Sequence, residues 1–574
     1  MKFAKLPVLF FLLFAILVFT RFVGLDWGLP YPMHPDERNM VVAILDMNCA
    51  NGFSLECLNP HFFAYGQLPL YLGLVTFKLI HFLFPDGMIH FQAALALRIN
   101  SALFSVFTVI VLMKMIRLFD VNKKVALIFF YIMSVFTPAF IQFSHFGTTE
   151  SHLMFFYTCL VYLSLKFIFQ QSNLKNFAIM SGIVFGLALG TKISAIIFAL
   201  IPFFAILFHI FTEKNNYLTK KLILFFVGLL LLISFTLLFF IISSPYNFAS
   251  WNEFIGSMRY ESEVGLGVYR AFYTKQFEYS LPILFQSVKI FPYALGMPIY
   301  LLFILGFIFL PWNKTYNFVR FQFLLYFIPT AFLYAKWTRF LVPVFPIMVF
   351  FAGMFFIHIF QKITLNKYLL HTIFTIIFIL TIIPGIAYLA IYLNTDVRFT
   401  ASSWIYRNLP NDVYVLAETA NVIDIPVPAP NMNEAEYIGK HYKTVSFNFY
   451  DVDSDRLLSQ LLSTHINQAG YFFVPSRRIF ANHTCYQFQE TLISATIQGY
   501  QNDRCYILNK KYSRLHDYYN QLFNNSSKYT LVKEFSSYPR IEVFGHKLIE
   551  FPDENAEETW TVFDHPVIRI YKKI

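Results

Sequence analysis

Two adjacent acids, Asp36 and Glu37, follow Pro35 a few residues past the end of the first long apolar run of the chain. Lipid does not host bare carboxylates, so such a pair must reach water at a membrane face. A carboxylate held there can accept a proton from an incoming hydroxyl while a leaving group departs. The competing role is structural. His34-Pro35-Asp36-Glu37 precedes the apolar run from Met40 to Leu45, which suits acids in the first turn of a helix. Glu150 opens another apolar run after Ser144-His145-Phe146-Gly147-Thr148-Thr149. It can cap that helix, orient an acceptor, or join Asp36 in offering oxygen ligands to a divalent cation. Among the cations, Arg339 in Lys336-Trp337-Thr338-Arg339-Phe340 stands out, because a guanidinium grips phosphate with two parallel hydrogen bonds. Lys192, Arg270 and Lys336 are further candidates for an anion. The alternative for each is a cation that lays its stem on apolar surface and keeps its head in water. Arg21 and Arg98 are expected to be interfacial anchors, and His145 and His152 interfacial histidines.

Other chemistries find no footing. The chain has no phosphate-binding P-loop, no GxGxxG after a strand, no HExxH and no GxSxG elbow. Five cysteines are too few for a disulfide scaffold. Cys49 with Cys57, and Cys485 with Cys505, could each close a bridge in an oxidising compartment, with free thiols as the alternative.

The elements that must position these groups are membrane helices. Of the 574 residues, 57% are hydrophobic and only 13% charged, against about 25% charged in soluble domains. The formal charge of +11 does not indicate a nucleic-acid partner, because Lys and Arg concentrate in short loops between apolar runs, where they set topology. The first run, Leu6 to Val23, follows Lys2 and Lys5 and ends in Phe19-Thr20-Arg21-Phe22 without a small-residue cleavage site, so we expect an uncleaved span. Further spans are expected near 97–117, 125–145, 150–170, 177–191, 193–211, 222–242, 291–311, 321–335, 341–360 and 368–393, eleven in all.

One more apolar stretch, 68–84, decides the topology. Were it to span, every later loop would change sides. Laid against the outer face as an amphipathic or re-entrant helix, it leaves the loops bearing Lys123, Lys124, Lys175, Lys214, Lys220, Lys221, Lys314, Arg320, Lys362 and Lys367 inside. The expected arrangement has the N-terminus cytoplasmic and the C-terminus outside. Asp36, Glu37, Glu150, Lys192, Arg270, Lys336 and Arg339 then share one outer face. Gly182, Gly186 and Gly190 form a small-residue stripe of the kind that packs helices.

From about residue 394 onward, short alternating runs such as Val413-Tyr414-Val415-Leu416 and Val567-Ile568-Arg569-Ile570-Tyr571 predict strands, while 455–463 and 514–523 predict helices. The expected architecture is a polytopic α-helical membrane domain over 1–393, with juxtamembrane helices in the first outer loop (25–96), and a soluble α/β ectodomain over 394–574. The triplet Asn482-His483-Thr484 fits a glycosylation sequon, a pattern frequent by chance.

The stretch Gly28-Leu29-Pro30-Tyr31-Pro32-Met33-His34-Pro35-Asp36-Glu37 is followed by Leu58-Asn59-Pro60-His61-Phe62-Phe63-Ala64-Tyr65-Gly66, Gly190-Thr191-Lys192-Ile193-Ser194, Ser244-Pro245-Tyr246 and Arg339-Phe340-Leu341-Val342-Pro343. Over roughly residues 1–393 this pattern resembles the polyprenyl-phosphate-dependent membrane glycosyltransferases of the GT-C fold. That group includes protein O-mannosyltransferases (glycosyltransferase family 39) and the aminoarabinose transferase of lipid A. The resemblance implies that Asp36 is catalytic with Glu37 beside it, and that Glu150 is a second acid where the family often has Asp. It further implies that Arg339, with Lys192 and Arg270 as weaker matches, meets the phosphate of a polyprenyl-phosphate sugar. The implied reaction is inverting transfer to a hydroxyl of a protein, lipid or glycan at the outer face of the cell membrane. No cofactor is required, with a divalent cation held by Asp36 and Glu150 as an option. Transfer of a whole oligosaccharide is the alternative within the class. A transporter or lipid flippase is the alternative outside it, disfavoured because the charges gather at one face and the halves show no repeat.

Overall fold

Apolar segments in lipid must satisfy their backbone groups internally, and the apolar runs of this chain are helical in a computed structural model of the protein. The structure describes residues 5–47, 56–119, 121, 124–212, 217–362, 367–419, 423–430, 432–486, 498–524 and 528–574. The first part comprises α1 (Lys5–Phe22), α2 (Pro35–Asp46), α3 (Gln67–Leu83), α4 (Ile89–Arg117), α5 (Lys124–Val135), α6 (Pro138–His145), α7 (Glu150–Ile168), α8 (Leu174–Thr191), α9 (Leu200–Thr212) and α10 (Leu218–Ser243).

Among the described residues, seven helices are long and apolar enough to cross a membrane, or eight if the bent pair α5 and α6 forms one span. The expected count was eleven. Each expected run is helical, but α1, Met297–Phe309 and Lys314–Ala331 are too short or too polar to be counted among those seven. Gly296, in the left-handed region at φ 79°, and Pro298 cut the run at 291–311 into two helices. The stretch expected to lie at the face without spanning is α3, whose Leu70 and Phe77 pack with Met40, Val41 and Ile44 of α2 and Leu97 of α4.

The long helices share one polarity. α7 starts at Glu150 and carries Lys166 in its last turn, and α4 carries Lys114 and Arg117 in its own. α8 and α10 start near Lys175, Lys220 and Lys221 and end at Thr191 and Ser243. Those two ends are tied to the segment before α3. Gly66 N donates to Thr191 O at 2.9 Å, Ser244 Oγ donates to Gly190 O at 3.0 Å, and Gln67 Nε2 donates to Asn247 Oδ1 at 3.2 Å. One end of the bundle is thus basic, and the other gathers Glu150, Lys192 and the first loop. The small-residue stripe lies on this packing: a Cβ on Gly186 would stand 2.6 Å from Thr236 O, so α8 and α10 can approach only because no side chain is there.

Arg21 and Arg98, expected as interfacial anchors, are instead fully buried. Arg21 donates to Ser105 Oγ, Thr20 Oγ1 and Val135 O, stitching α1 to α4 and to the turn after α5. His145 is also buried, stacked on Tyr392 at 3.8 Å and hydrogen-bonded to Ile141 O and Val23 O.

The C-terminal part holds the expected strands and helices. β1 (Tyr414–Glu418), β2 (Lys443–Phe447), β3 (Tyr471–Val474), β4 (Tyr529–Phe535) and β7 (Ile568–Lys573) form a sheet of order β2-β1-β3-β7-β4, and β5 (Arg540–Val543) pairs with β6 (His546–Glu550). Asp455 caps the helix Arg456–Gln468, and a second helix covers Ser513–Phe523. Cys485 and Cys505 form a disulfide, whereas Cys49 lies outside the described residues. Asn482 is buried, accepting from Gln276 N and donating to Arg478 O, so the sequon is closed to modification in the folded chain.

This part does not stand off from the membrane bundle. Ala556, Trp560, Val562 and Phe563 belong to the same apolar core as the helices. Asp564 accepts hydrogen bonds from Tyr388, Tyr392 and Gln142. Its neighbour His565 bridges Asp564 and Asp553, at 2.6 and 2.9 Å.

Candidate functional site

Asp36 is placed by the start of α2. Pro35 occupies the first turn, where its missing N–H costs nothing, and the His34 ring caps the helix by accepting from Asp36 N at 3.2 Å. Successive residues on an α-helix point about 100° apart, so Asp36 and Glu37 face different surroundings.

Glu37 is fully buried and accepts from Arg98 through both oxygens, at 2.9 and 2.7 Å, and from Gly147 N at 2.6 Å. Arg98 also donates to Leu25 O and Trp27 O. A Cβ on Gly147 would stand 2.6 Å from Leu97 Cβ and 3.0 Å from the Glu37 carboxylate, so this turn requires glycine. Glu37, expected as a catalytic partner of Asp36, is therefore committed to an ion pair that locks α2 to α4 and to the turn before α7.

Asp36 makes a direct ion pair with Arg339 Nη1, the two side chains being 20% and 21% exposed. The Tyr65 hydroxyl also acts on the same carboxylate. Burial pushes the Asp36 carboxyl up, but the pull of Arg339, the His34 ring, Tyr65 and Lys192 overrides it, bringing the group down to about 2. Burial raises the Tyr65 hydroxyl, reinforced by the Asp36 charge, and lowers the His34 ring against the pull of Asp36 and Glu150. Lys192 Nζ lies over the Tyr65 ring at 4.7 Å and the Phe340 ring at 5.9 Å, joining the cluster from the end of α8. Glu150, buried at the start of α7, acts electrostatically on His34, Tyr65 and Lys192.

Arg339 sits over Trp337 at 4.6 Å. Its Nε is a buried donor with no acceptor among the described residues. Such a donor is costly to leave unmatched, so it is open to an acceptor beyond the described residues. One buried carboxylate faces a guanidinium, a lysine ammonium and a tyrosine hydroxyl. The arrangement can bind an anion beside a proton acceptor.

Two of the expected cations fall outside this cluster. Arg270 is largely exposed, 3.9 Å from Glu278 and over the Tyr334 ring, while Lys511 holds the other side of Glu278. Lys336 turns back to donate to Tyr334 O at 3.1 Å, and burial lowers its ammonium to about 8. Neither faces Asp36, because each follows a turn that points it toward its own neighbours. Among the described residues, no group of three or more His, Cys, Asp and Glu side chains is placed to hold a metal ion. Sequence reasoning assigned no role to Tyr65 or His34 and took Arg98 for an interfacial anchor rather than the partner of Glu37. The signal for Tyr65 was its place in Phe62-Phe63-Ala64-Tyr65-Gly66, just before the glycine that contacts α8.

No curated protein matches the chain. Among solved structures, it is similar to ArnT from Cupriavidus metallidurans bound to undecaprenyl phosphate, at 14% identity over 83% of this chain and 94% of that one, TM-score 0.48. It is also similar to the archaeal oligosaccharyltransferase AglB from Archaeoglobus fulgidus in complex with an inhibitory peptide and a dolichol-phosphate, at 13% identity over 84% and 71%, TM-score 0.47. A family model described as dolichyl-phosphate-mannose-protein mannosyltransferase matches residues 87–240, a stretch that contains Arg98, Glu150 and Lys192 and leaves Asp36 and Arg339 outside it. The stretch from α4 to α10 thus matches a model of the family that the residue pattern resembles.

Proposed function

We propose that the chain is a membrane glycosyltransferase that moves a sugar from a polyprenyl-phosphate donor to a hydroxyl of a protein, lipid or glycan at the outer face. The observation that carries this reading is the contact between Asp36 and an Arg339 guanidinium whose Nε still lacks an acceptor. In the proposed step the acceptor oxygen bonds to the sugar C1 as the bond from C1 to the phosphate oxygen breaks. Asp36 takes the hydroxyl proton. The polyprenyl phosphate leaves with its charge met by Arg339 and Lys192. The sugar inverts at C1 because one displacement occurs. Four-fifths burial strengthens each of these electrostatic interactions relative to water. Glu150 would orient the acceptor, and Glu37 would hold α2 in place. The match over residues 87–240 supports the same class of chemistry.

The test is to incubate the purified protein with radiolabelled polyprenyl-phosphate sugars and membranes and to follow label into protein, lipid and glycan fractions. A parallel reaction in EDTA decides whether a divalent cation held by Asp36 and Glu150 takes part. Asp36→Ala should insert into membranes normally and transfer nothing; full activity in that variant would remove the mechanism.

A further inference from the structure

The C-terminal domain reaches a neighbour of each partner of the Asp36–Arg339 pair. Glu557 is buried, and its Oε2 accepts from Thr338 N at 3.1 Å and from Thr338 Oγ1 at 3.0 Å. Thr338 is the residue before Arg339. The same carboxylate accepts from Gln276 Nε2 at 2.9 Å and from Thr559 N at 3.0 Å, so its position is fixed from three directions. Glu557 N donates to Lys289 O at 2.8 Å, and Arg477 donates to Glu557 O.

Six residues on, the Phe563 ring lies 4.3 Å from the ring of His34, the side chain that caps Asp36 N. Phe563 O and Val562 O accept from Arg398, and Asp564 is held by Tyr388 and Tyr392. One strap of the C-terminal domain, clamped at both ends, therefore touches the residue before Arg339 and the side chain that caps Asp36.

We propose that Glu557 is a positioning residue for Arg339, and that the strap 557–563 is part of the wall of the donor-phosphate site. The inference rests on the proposed role of Arg339. Its physical basis is that a guanidinium aimed at a phosphate must be held to a fraction of an ångström, and Glu557 fixes both the backbone N–H and the hydroxyl of Thr338, one residue before Arg339. Removal of the carboxylate also leaves the buried N–H and hydroxyl of Thr338 unmatched, while Gln276 Nε2 keeps Glu558.

The experiment measures binding of farnesyl phosphate and of uncharged farnesol to the full-length protein in detergent, comparing Glu557→Ala, Thr338→Val, Thr338→Ser, Arg339→Ala and Glu554→Ala. Glu554 pairs with Arg569 elsewhere in the same domain, so its loss reports general damage. We expect Glu557→Ala and Thr338→Val to weaken farnesyl phosphate by about 5- to 30-fold, in the range of a lost or misaligned charge-assisted contact. Farnesol binding should stay unchanged, Thr338→Ser should match the parent, and Glu554→Ala should leave both affinities intact. If Arg339→Ala weakens the phosphate while both Glu557→Ala and Thr338→Val do not, the inference is overturned and the reading of Arg339 stands. If Arg339→Ala has no effect, that reading fails first. Equal loss of phosphate and alcohol in Glu557→Ala and Thr338→Val would show a structural role only and also overturn the proposal.

Discussion

At the scale of single residues, the site holds the proposed base, Asp36, and the proposed phosphate cation, Arg339, against each other. A donor phosphate that takes the open Nε draws on the same guanidinium charge that Asp36 holds at Nη1. A lipid phosphate arriving at Arg339 competes with the carboxylate, and Asp36 loses the strongest of the charges that hold it near 2. Its proton affinity must then rise, which makes it a better base when the donor is in place. The sign is checkable. The acid limb of kcat/KM for the donor reports the free enzyme, where Asp36 stays ionised until pH falls to about 2. The limb of kcat reports the loaded enzyme and should lie at higher pH. Coincident limbs would show that the donor leaves the pair undisturbed. The same competition separates two variants. Asp36→Asn should lose about 10²- to 10⁴-fold in transfer, the range for a removed general base, yet bind lipid phosphate as tightly as the parent or tighter, because the competing charge is gone. Arg339→Ala should lose donor affinity as well as rate. Weaker lipid binding in Asp36→Asn would contradict the contest for Arg339.

At the scale of elements, two buried ionic clusters decide whether the helices present that pair. Arg98 and Glu37 join α2, α4 and the Gly147 turn with no solvent to absorb a lost partner. Arg98→Ala strands the Glu37 carboxylate, at a cost of about 3–5 kcal/mol, and thermal denaturation in detergent should show it as a large fall in Tm. Phe-scanning of exposed positions on the lipid-facing α10, such as Leu230, should barely register by comparison. The second cluster is His565 between Asp553 and Asp564. Burial opposes the charge on the ring, but the two carboxylates raise it to about 10. A group raised in the folded state contributes fully below its ordinary value near 6.5 and loses that contribution as pH climbs through about 10. Stability should therefore fall between about pH 7 and 10 in the parent, and His565→Gln should flatten that slope while lowering stability at pH 7. An unchanged slope would mean that the ring is not the titrating group.

Why some of this was legible in the sequence follows from the same elements. Helical runs, α3 among them, the small-residue stripe and the strands near 414 and 568 were legible because periodicity and apolar length are local properties. Asp36, Glu150, Lys192 and Arg339 could be gathered because topology alone sends loop charges to one end. The pairing of Glu37 with Arg98 was not legible, since two adjacent acids look equivalent until helical geometry turns them about 100° apart. Arg270 and Lys336 failed for a related reason: parity assigns a face, not a direction within it. The strap at 557–565 was hidden by its distance along the chain, as nothing local in Glu557 or Phe563 announces a partner more than two hundred residues earlier.

At the scale of the whole molecule, the bundle is polar along its axis. α4, α7 and the helix ending at Lys362 carry cations in their last turns, and α8 and α10 carry them at their starts, while the opposite ends of α7, α8 and α10 converge on the first loop and Lys192. If retention of the basic end on the cytoplasmic side sets the orientation, the candidate site and the sheet face outward together. That orientation explains why the chemistry would draw on a lipid-linked donor: a nucleotide sugar made inside does not reach the outer face. Cysteines introduced at Lys175 and Lys314, both exposed at the basic end, should react with an impermeant maleimide only after the membrane is opened. Cysteines at Glu253 and Arg407, exposed on the side of the site, should react in intact cells. The reverse pattern would place Arg339, and Asp36 in contact with it, inside, where soluble sugar donors are available and a polyprenyl-phosphate donor loses its physical reason; labelling of both sets in intact cells would instead mean that the chain does not keep one basic end inside.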